Sequence, residues 1–323
     1  MPLAIAVLMD PIDHIKVAKD STFAMLLEAQ RRGHRLFYLR QGDLALRQNA
    51  PWGRLAPVSV RDDPQDWFEL GPATWRPLND MDVILDRKDP PVDAQFQHDT
   101  LVLEMTQHAG PGESAPLLVN DPQALRDCNE KLYAMQFPQC CPPTLVARDA
   151  DALRQFVAEH GEVVLKPLDG MGGRGIFRVR EGDTNLNSML ETLLGDDHRF
   201  VMAQKFIPAI SAGDKRILLV DGEPVPYALA RIPRDGEFRG NLASGGRGEG
   251  VPLSERDRWI VAQIAPDLRR RGLLFVGLDV IGDWLTEINV TSPTCIRELD
   301  AQFELNIAGQ LFDAIEARRA SAR

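Results

Sequence analysis

The chain reads as a multi-domain α/β (α+β) protein: a doubly wound parallel sheet in front, hairpin-rich structure behind. Three observations carry that reading. Its 323 residues exceed the roughly 250–300 over which single cores stop growing, so two or three domains are expected. Strand-like and helix-like runs alternate through residues 1–120, the pattern of parallel sheets with crossover helices. Towards the C-terminus, strand patterns come in pairs joined by Asp-Gly or Gly-Asp, which are hairpin turns.

Taken in order, Ala4–Met9 is an apolar strand, and Asp20 or Ser21 caps a helix over Thr22–Arg32 that stops at Gly33. Leu36–Leu39, Val83–Leu85 and Leu117–Val119 are further strands, with a helix over Phe96–Gln107 before the last. Ala50–Pro77, with several prolines and tryptophans, is the least regular stretch and reads as a surface excursion. Asn120-Asp121-Pro122 starts a helix predicted over Gln123–Phe137, and Pro142-Pro143 is a linker. Thr144–Val146, a helix over Ala150–His160 and Val163–Lys166 form a strand–helix–strand unit. Ile217–Val220 and Val225–Ala230 flank Asp221-Gly222. A helix over Arg256–Arg271 ends at Gly272. Phe275–Ile281 and Trp284–Val290 form a second hairpin, and the last helix covers Leu305–Ala320. Domains are placed at 1–122, 123–207 and 208–323.

The net charge of −10 excludes broad, salt-driven binding to nucleic acid, which needs a basic surface. Met1–Met9 is apolar, but it has no basic leader and runs into Asp10-Pro11, so a buried strand fits better than a signal peptide. No apolar run approaches the roughly 18 residues of a membrane-spanning helix. Cys128, Cys140, Cys141 and Cys295 have neither disulfide nor metal spacing and read as thiols of a reducing, cytoplasmic compartment.

Gly170-Met-Gly-Gly-Arg-Gly175 formally matches G-x-G-x-x-G, but a dinucleotide site requires a helix after the glycines. Ile176-Phe-Arg-Val-Arg180 alternates like a strand instead, which puts the glycines in a hairpin loop. Such a loop can close backbone N–H groups over phosphate oxygens, with Lys166 ending the strand before it. Lys131 is a second lysine upstream and, from sequence alone, could equally be a helix-surface charge. Phe200–Ile207 is an apolar strand whose end suits an adenine ring.

Leu285-Thr-Glu-Ile-Asn-Val290 places Glu287 and Asn289 on one face of a strand, a carboxylate and an amide oxygen suited to Mg²⁺. Asp279 on the preceding strand joins them only if the hairpin is odd in length or bulged. Arg216 and Arg231 flank the other hairpin and could meet phosphate or a developing oxyanion, though each alone could be a surface charge. The glycine-rich stretch 232–250 is too long for a simple connection and reads as a lid.

Together these features resemble the ATP-grasp superfamily and, within it, the bacterial glutathione synthetase family. The likeness rests on Val7–Pro11, Asp20–Gln30, Arg87-Lys-Asp-Pro-Pro91, Leu125-Arg-Asp-Cys-Asn-Glu-Lys131, Lys166–Gly173, Asp221–Pro226, Arg239–Ala243 and Thr286–Arg297. It covers nearly the whole chain. The resemblance implies an N-terminal parallel-sheet domain, a central lid domain and a C-terminal catalytic domain, with ATP between the last two. It implies that Lys131, Lys166 and the glycines Gly170, Gly172 and Gly173 hold phosphates, and that Gln204, Lys205, Phe206 and Ile207 hold adenine. Asp279, Glu287 and Asn289 would bind two Mg²⁺, with Mn²⁺ as an alternative; Arg216, Arg231 and Asn289 would line the transfer site. Asp10, Arg87, Arg239, Ser292, Pro293 and Thr294 would meet the peptide. The implied reaction joins γ-glutamylcysteine to glycine through an acyl phosphate, in a homotetramer with no nucleic-acid or membrane partner. Arg174-Gly175 departs from the small polar residues the family tolerates there, which bears on lid kinetics and not on reaction class. Another ATP-grasp ligase, or an ATP-binding module without turnover, are the competing readings.

Overall fold

Ala4–Leu8 (β1) is buried at every position, as a central strand covered on both faces must be. The computed structural model describes residues 2–108, 115–196, 198–234, 236–237, 240 and 245–321. Among these residues the strands form three sheets. In the first, β1 pairs in parallel with Arg35–Leu39 (β2). Leu44–Arg47 (β3), Ala50–Val60 (β4), Phe68–Leu70 (β5) and Thr74–Pro77 (β6) then extend the sheet antiparallel beyond β2. Val83–Asp86 (β7) and Leu117–Val119 (β8) continue it in parallel on the other side of β1. Helices Ser21–Arg31 (α1) and Ala94–Glu104 (α2) are capped by Asp20 and Asp93, each accepting a backbone N–H three residues on.

Two expectations need correction here. The sheet is mixed, not purely parallel, and the stretch read as irregular is the eleven-residue strand β4 with its partners. Prolines hid that strand. Pro57 has no N–H to give the ladder, but its carbonyl accepts from the Gly71 N–H at 2.8 Å, so the strand keeps a bond at that position.

The helix expected over Gln123–Phe137 is also much shorter: Pro122–Asp127 (α3), with only a 3₁₀ turn at Ala134–Gln136. Asn129 breaks it. Its side-chain oxygen accepts the N–H groups of Lys131 and Leu132, both at 3.1 Å, a local bond that competes with the helix. The next carbonyl, of Glu130, is captured by the Ile288 N–H at 2.8 Å.

Thr144–Ala147 (β9), helix Ala150–His160 (α4), Glu162–Pro167 (β10), Phe177–Arg180 (β11), helix Leu186–Leu194 (α5) and Val201–Lys205 (β12) make the second unit. Its antiparallel sheet runs β11-β10-β12-β9 over a separate core that includes Leu153, Val163, Leu165 and Leu190.

The third sheet runs β16-β15-β13-β17-β18. Its strands are Asp214–Val220 (β13), Glu223–Pro224 (β14, paired with β13), Tyr227–Ile232 (β15), Arg247–Pro252 (β16), Phe275–Ile281 (β17) and Trp284–Asn289 (β18). Asp221 and Gly222 both take positive φ, +50° and +74°, the geometry of the tight hairpin turn their sequence predicts. Helix Glu255–Arg270 (α6) lies between β16 and β17, and a Ser254–Asp257 capping box starts it. Ile296–Phe303 (α7) and Ile307–Ser321 (α8) close the chain. Helix α8 returns to the first sheet: its apolar residues share a core with β1 and α1, and Arg32 donates to the Gly309 carbonyl at 2.8 Å. No helix of the described residues is long and apolar enough to cross a membrane.

Candidate active site

Strands β10 and β11 pair directly, with Leu165 opposite Phe177, and no helix follows the glycines. The dinucleotide match is therefore a coincidence of spacing. Gly172, Gly173 and Gly175 take φ of +64°, +79° and +70°, which side-chain-bearing residues adopt only under strain. At Gly170 a Cβ would lie 2.7 Å from the Pro167 ring and 3.0 Å from the Arg174 carbonyl, so glycine is required for space.

The second hairpin resolves the register question. Ile281 pairs with Trp284 and Val280 with Leu285 across a two-residue turn, and a bulge then brings Asp279 opposite Glu287 and Gly277 opposite Asn289. The bulge turns Asp279, Glu287 and Asn289 to one face, as a shared site demands.

Both hairpins face one cavity of about 320 Å³. On one wall are Lys166, Gly170, Gly172 and Gly173; the end of β12 supplies Gln204, Lys205, Phe206 and Ile207. Opposite lie Arg216, Arg231, Asp279, Glu287 and Asn289, and the loop after β18 adds Ser292, Pro293 and Thr294. Lys131 reaches the same place: its ammonium is 2.9 Å from the Gly170 carbonyl and 3.5 Å from Glu287 and contacts the Glu130 carboxylate.

The charges form two groups. Asp279 is clamped by Arg216, at 2.6 and 3.2 Å, and by Arg231 at 2.9 Å. Burial alone would push its carboxyl up, yet the two guanidinium groups hold it well below the usual carboxylate range. Asp214 receives Arg231 at 2.5 Å on one oxygen, while the other is buried without a partner. Burial raises this carboxyl to about 6, with Arg231 opposing and Asp279 adding to the rise. In the second group, Lys166 lies 3.6 Å from Glu287 and donates to Gln204 at 3.3 Å. Burial depresses the Lys166 ammonium, whereas for Lys131 burial is outweighed by Glu287 and Glu130 and its pKa rises. Both carboxylates act on both lysines, but Lys131 also bonds directly to Glu130 and Glu287, while Lys166 is opposed by the like charge of Lys131. Glu130 itself is pushed up to about 7 by burial and by the nearby charge of Glu287.

Among the described residues no three of His, Cys, Asp or Glu gather closely enough to hold a metal alone. Two carboxylates and an amide of hard oxygens instead fit a divalent ion that completes its shell with water and phosphate oxygens. The glycine-rich hairpin lines the same cavity.

Among the described residues, two expected substrate residues are not on the cavity wall. Asp10 is paired with Lys88 at 2.9 Å and accepts the Asp89 N–H. Arg87 is 5 % exposed, donating to Thr22 and to the carbonyls of Thr291 and Pro293, so it braces the loop that carries Ser292. Arg239 lies outside the described residues, as do Asp235, Phe238 and 241–244 of the stretch read as a lid; Ile232 and Arg247 at its stem are paired. Sequence reasoning missed Asp89, Glu130, Asp214 and Cys295, all of which line the cavity. Each lies within two residues of one singled out for another reason, and that proximity was their only signal.

Two antiparallel units gripping a cavity between a glycine-rich hairpin and a carboxylate-bearing strand define an ATP-grasp ligase. Solved structures agree on the fold: D-cycloserine synthetase DcsG matches with a TM-score of 0.66 at 17 % identity, covering 99 % of this chain and 100 % of that one. The ATP-grasp ligase PsnB, solved with minimal precursor, Mg and ADP, matches with a TM-score of 0.61 at 18 % identity, covering 98 % of each chain. Residues 3–126 match the prokaryotic glutathione synthetase N-terminal domain, and 130–304 match the ATP-grasp domain of the same family. Glutathione synthetase of Xanthomonas axonopodis pv. citri is 66 % identical over 317 residues, 98 % of this chain and 99 % of that protein. That of Pseudomonas aeruginosa is 57 % identical over 321 residues, 99 % and 100 % respectively. The chain belongs to the prokaryotic glutathione synthetase family.

Proposed function

We propose that the chain joins γ-glutamylcysteine to glycine at the expense of ATP, with Mg²⁺, or Mn²⁺ in its place, held by Asp279, Glu287 and Asn289. The observation that carries this reading is the shared cavity, lined both by the glycine-rich hairpin with Lys166 and by the side chains of Asp279, Glu287 and Asn289. Lys131, Lys166 and the backbone of Gly170–Gly173 receive the nucleotide's phosphates, and the strand end Gln204–Ile207 receives adenine. When bound, the metal supplies positive charge against the transferring phosphoryl group. Arg216 and Arg231, fixed by Asp279, present their remaining N–H groups to the acyl phosphate formed at the peptide carboxylate. Ser292–Thr294, braced from behind by Arg87, orient the peptide for attack by the glycine amine. No side chain is asked to form a covalent bond, so positioning and exclusion of water carry the rate. We read domains at 1–122, 123–207 and 208–323 and a homotetramer in the cytoplasm.

The test is phosphate release that requires ATP, γ-glutamylcysteine and glycine together and stops with EDTA. Glu287→Gln should lower turnover by about a thousandfold or more, the scale of several kcal/mol supplied by a correctly held metal. Release that ignores the peptide or the amine would sink the assignment.

A further inference from the structure

Glu130 stands apart from the groups assigned so far. It lies in the linker between α3 and β9, and its main chain is fastened to the metal-bearing strand, the carbonyl accepting the Ile288 N–H at 2.8 Å. Its side chain lines the cavity and contacts the Lys131 ammonium. That ammonium also donates to the Gly170 carbonyl at 2.9 Å, at the start of the glycine-rich loop, and the neighbouring Asn129 amide donates to the Leu168 carbonyl at 3.3 Å. The lysine side chain is 2 % exposed, so its long, flexible stem is confined by these contacts and not by solvent.

We propose that Glu130 is a positioning residue: its carboxylate holds the Lys131 ammonium as a bridge between the metal-bearing strand and the glycine-rich hairpin. The inference rests on the nucleotide reading above. Lysine is a compact charge on a rotatable stem and has no geometry of its own to aim it at a phosphate. A carboxylate anchored through the Ile288 hydrogen bond supplies that aim. It also ties the loop that must cover the nucleotide to the strand that must grip the metal. Removing the carboxylate leaves Lys131 able to bind phosphate but no longer pre-placed, so the loss falls on nucleotide binding and spares the peptide and the amine.

The experiment uses the full chain with three variants. Glu130→Ala raises KM for ATP roughly tenfold, the cost of one charge-assisted hydrogen bond, and leaves KM for γ-glutamylcysteine and glycine unchanged. Glu130→Gln, which keeps an acceptor for the ammonium, recovers most of the loss. Glu130→Asp keeps the charge but withdraws it by one methylene, and shows a smaller rise for ATP alone. A wild-type KM for ATP in the alanine variant, or equal changes in all three KM values, overturns the proposal. Should the alanine variant fail to fold, an unchanged ATP KM in the aspartate variant overturns it equally. Trypsin cleavage after the exposed Arg174, measured without any substrate, reads the tether separately: it quickens in Glu130→Ala, and an unchanged rate refutes the bridge. That readout holds even if the wild-type protein releases no phosphate from these substrates, a failure that would count against the assigned reaction alone.

Discussion

Asp279 and Glu162 are each clamped between two arginines, in two very different places. Asp279 lies in the cavity floor between Arg216 and Arg231, and all three side chains are almost wholly buried. Glu162 lies at the stem of the glycine-rich hairpin, its Oε1 accepting from Arg178 at 2.7 Å and Arg180 at 2.8 Å, with Arg180 72 % exposed. The bond lengths barely differ. Solvent does: water already stabilises the charges at Glu162, so the clamp adds little there, whereas at Asp279 each charge depends on the others. The charges of the floor are thus held by one another and by Asp214, which pairs with Arg231. The glycine hairpin is held by short strands and by exposed pairs such as Glu162 with Arg180.

The largest effect expected from this contrast is at the floor. Asp279→Ala leaves two guanidinium groups buried beside Asp214 alone and should cost about 3–5 kcal/mol of unfolding free energy, in addition to abolishing turnover. Urea titration of the variant against wild type measures it. A loss no greater than that of a surface substitution would show the two clamps to be equivalent and break the comparison.

A smaller and different effect is expected in the hairpin. Gly170→Ala places a methyl against the Pro167 ring and the Arg174 carbonyl, so the loop must shift. The shift costs about 1–3 kcal/mol of overpacking. Because the loop lies on the cavity wall and outside the cores, that cost should surface in KM for ATP, up roughly tenfold, with the melting temperature little changed. Equal damage to melting and to KM would mean the hairpin is as integral to the fold as the floor.

The same contrast explains what was legible in the sequence. Glycine hairpin and Glu-x-Asn strand are local patterns, in which residue type and spacing already state the geometry, and the bulge between Asp279 and Val280 followed from asking that three ligands share a face. Asp89, Glu130 and Asp214 carry no such pattern. Their place in the cavity comes from contacts with residues distant in sequence: Ser292 for Asp89, Ile288 for Glu130, Arg231 for Asp214. Arg87 was read as a substrate residue because its neighbours match the family. Its guanidinium instead turns inward to backbone carbonyls of Thr291 and Pro293, an orientation no spacing encodes. The two misread secondary elements failed for equally local causes: prolines masked the strand β4, and the Asn129 side chain cut short the helix that begins at Pro122.

The smallest effect is at the exposed clamp itself. Glu162→Gln removes the charge but keeps an acceptor for both arginines, and it should shift the melting temperature by about 2 °C or less, less still in high salt. The pH dependence sharpens the point. Hydrogen bonding from Arg180, against slight burial and with help from Arg178, lowers the Glu162 carboxyl below its ordinary 4.5. A carboxyl lowered on folding stabilises the protein above its unfolded value and loses that contribution as pH falls through the folded one. Asp279, whose ordinary value is 3.8, is lowered as well, despite burial, and further. On acidification the stability gap between wild type and Glu162→Gln should therefore close first, while that between wild type and Asp279→Ala persists to lower pH. Simultaneous closure in an acid titration of the three proteins would mean that burial does not separate the two clamps.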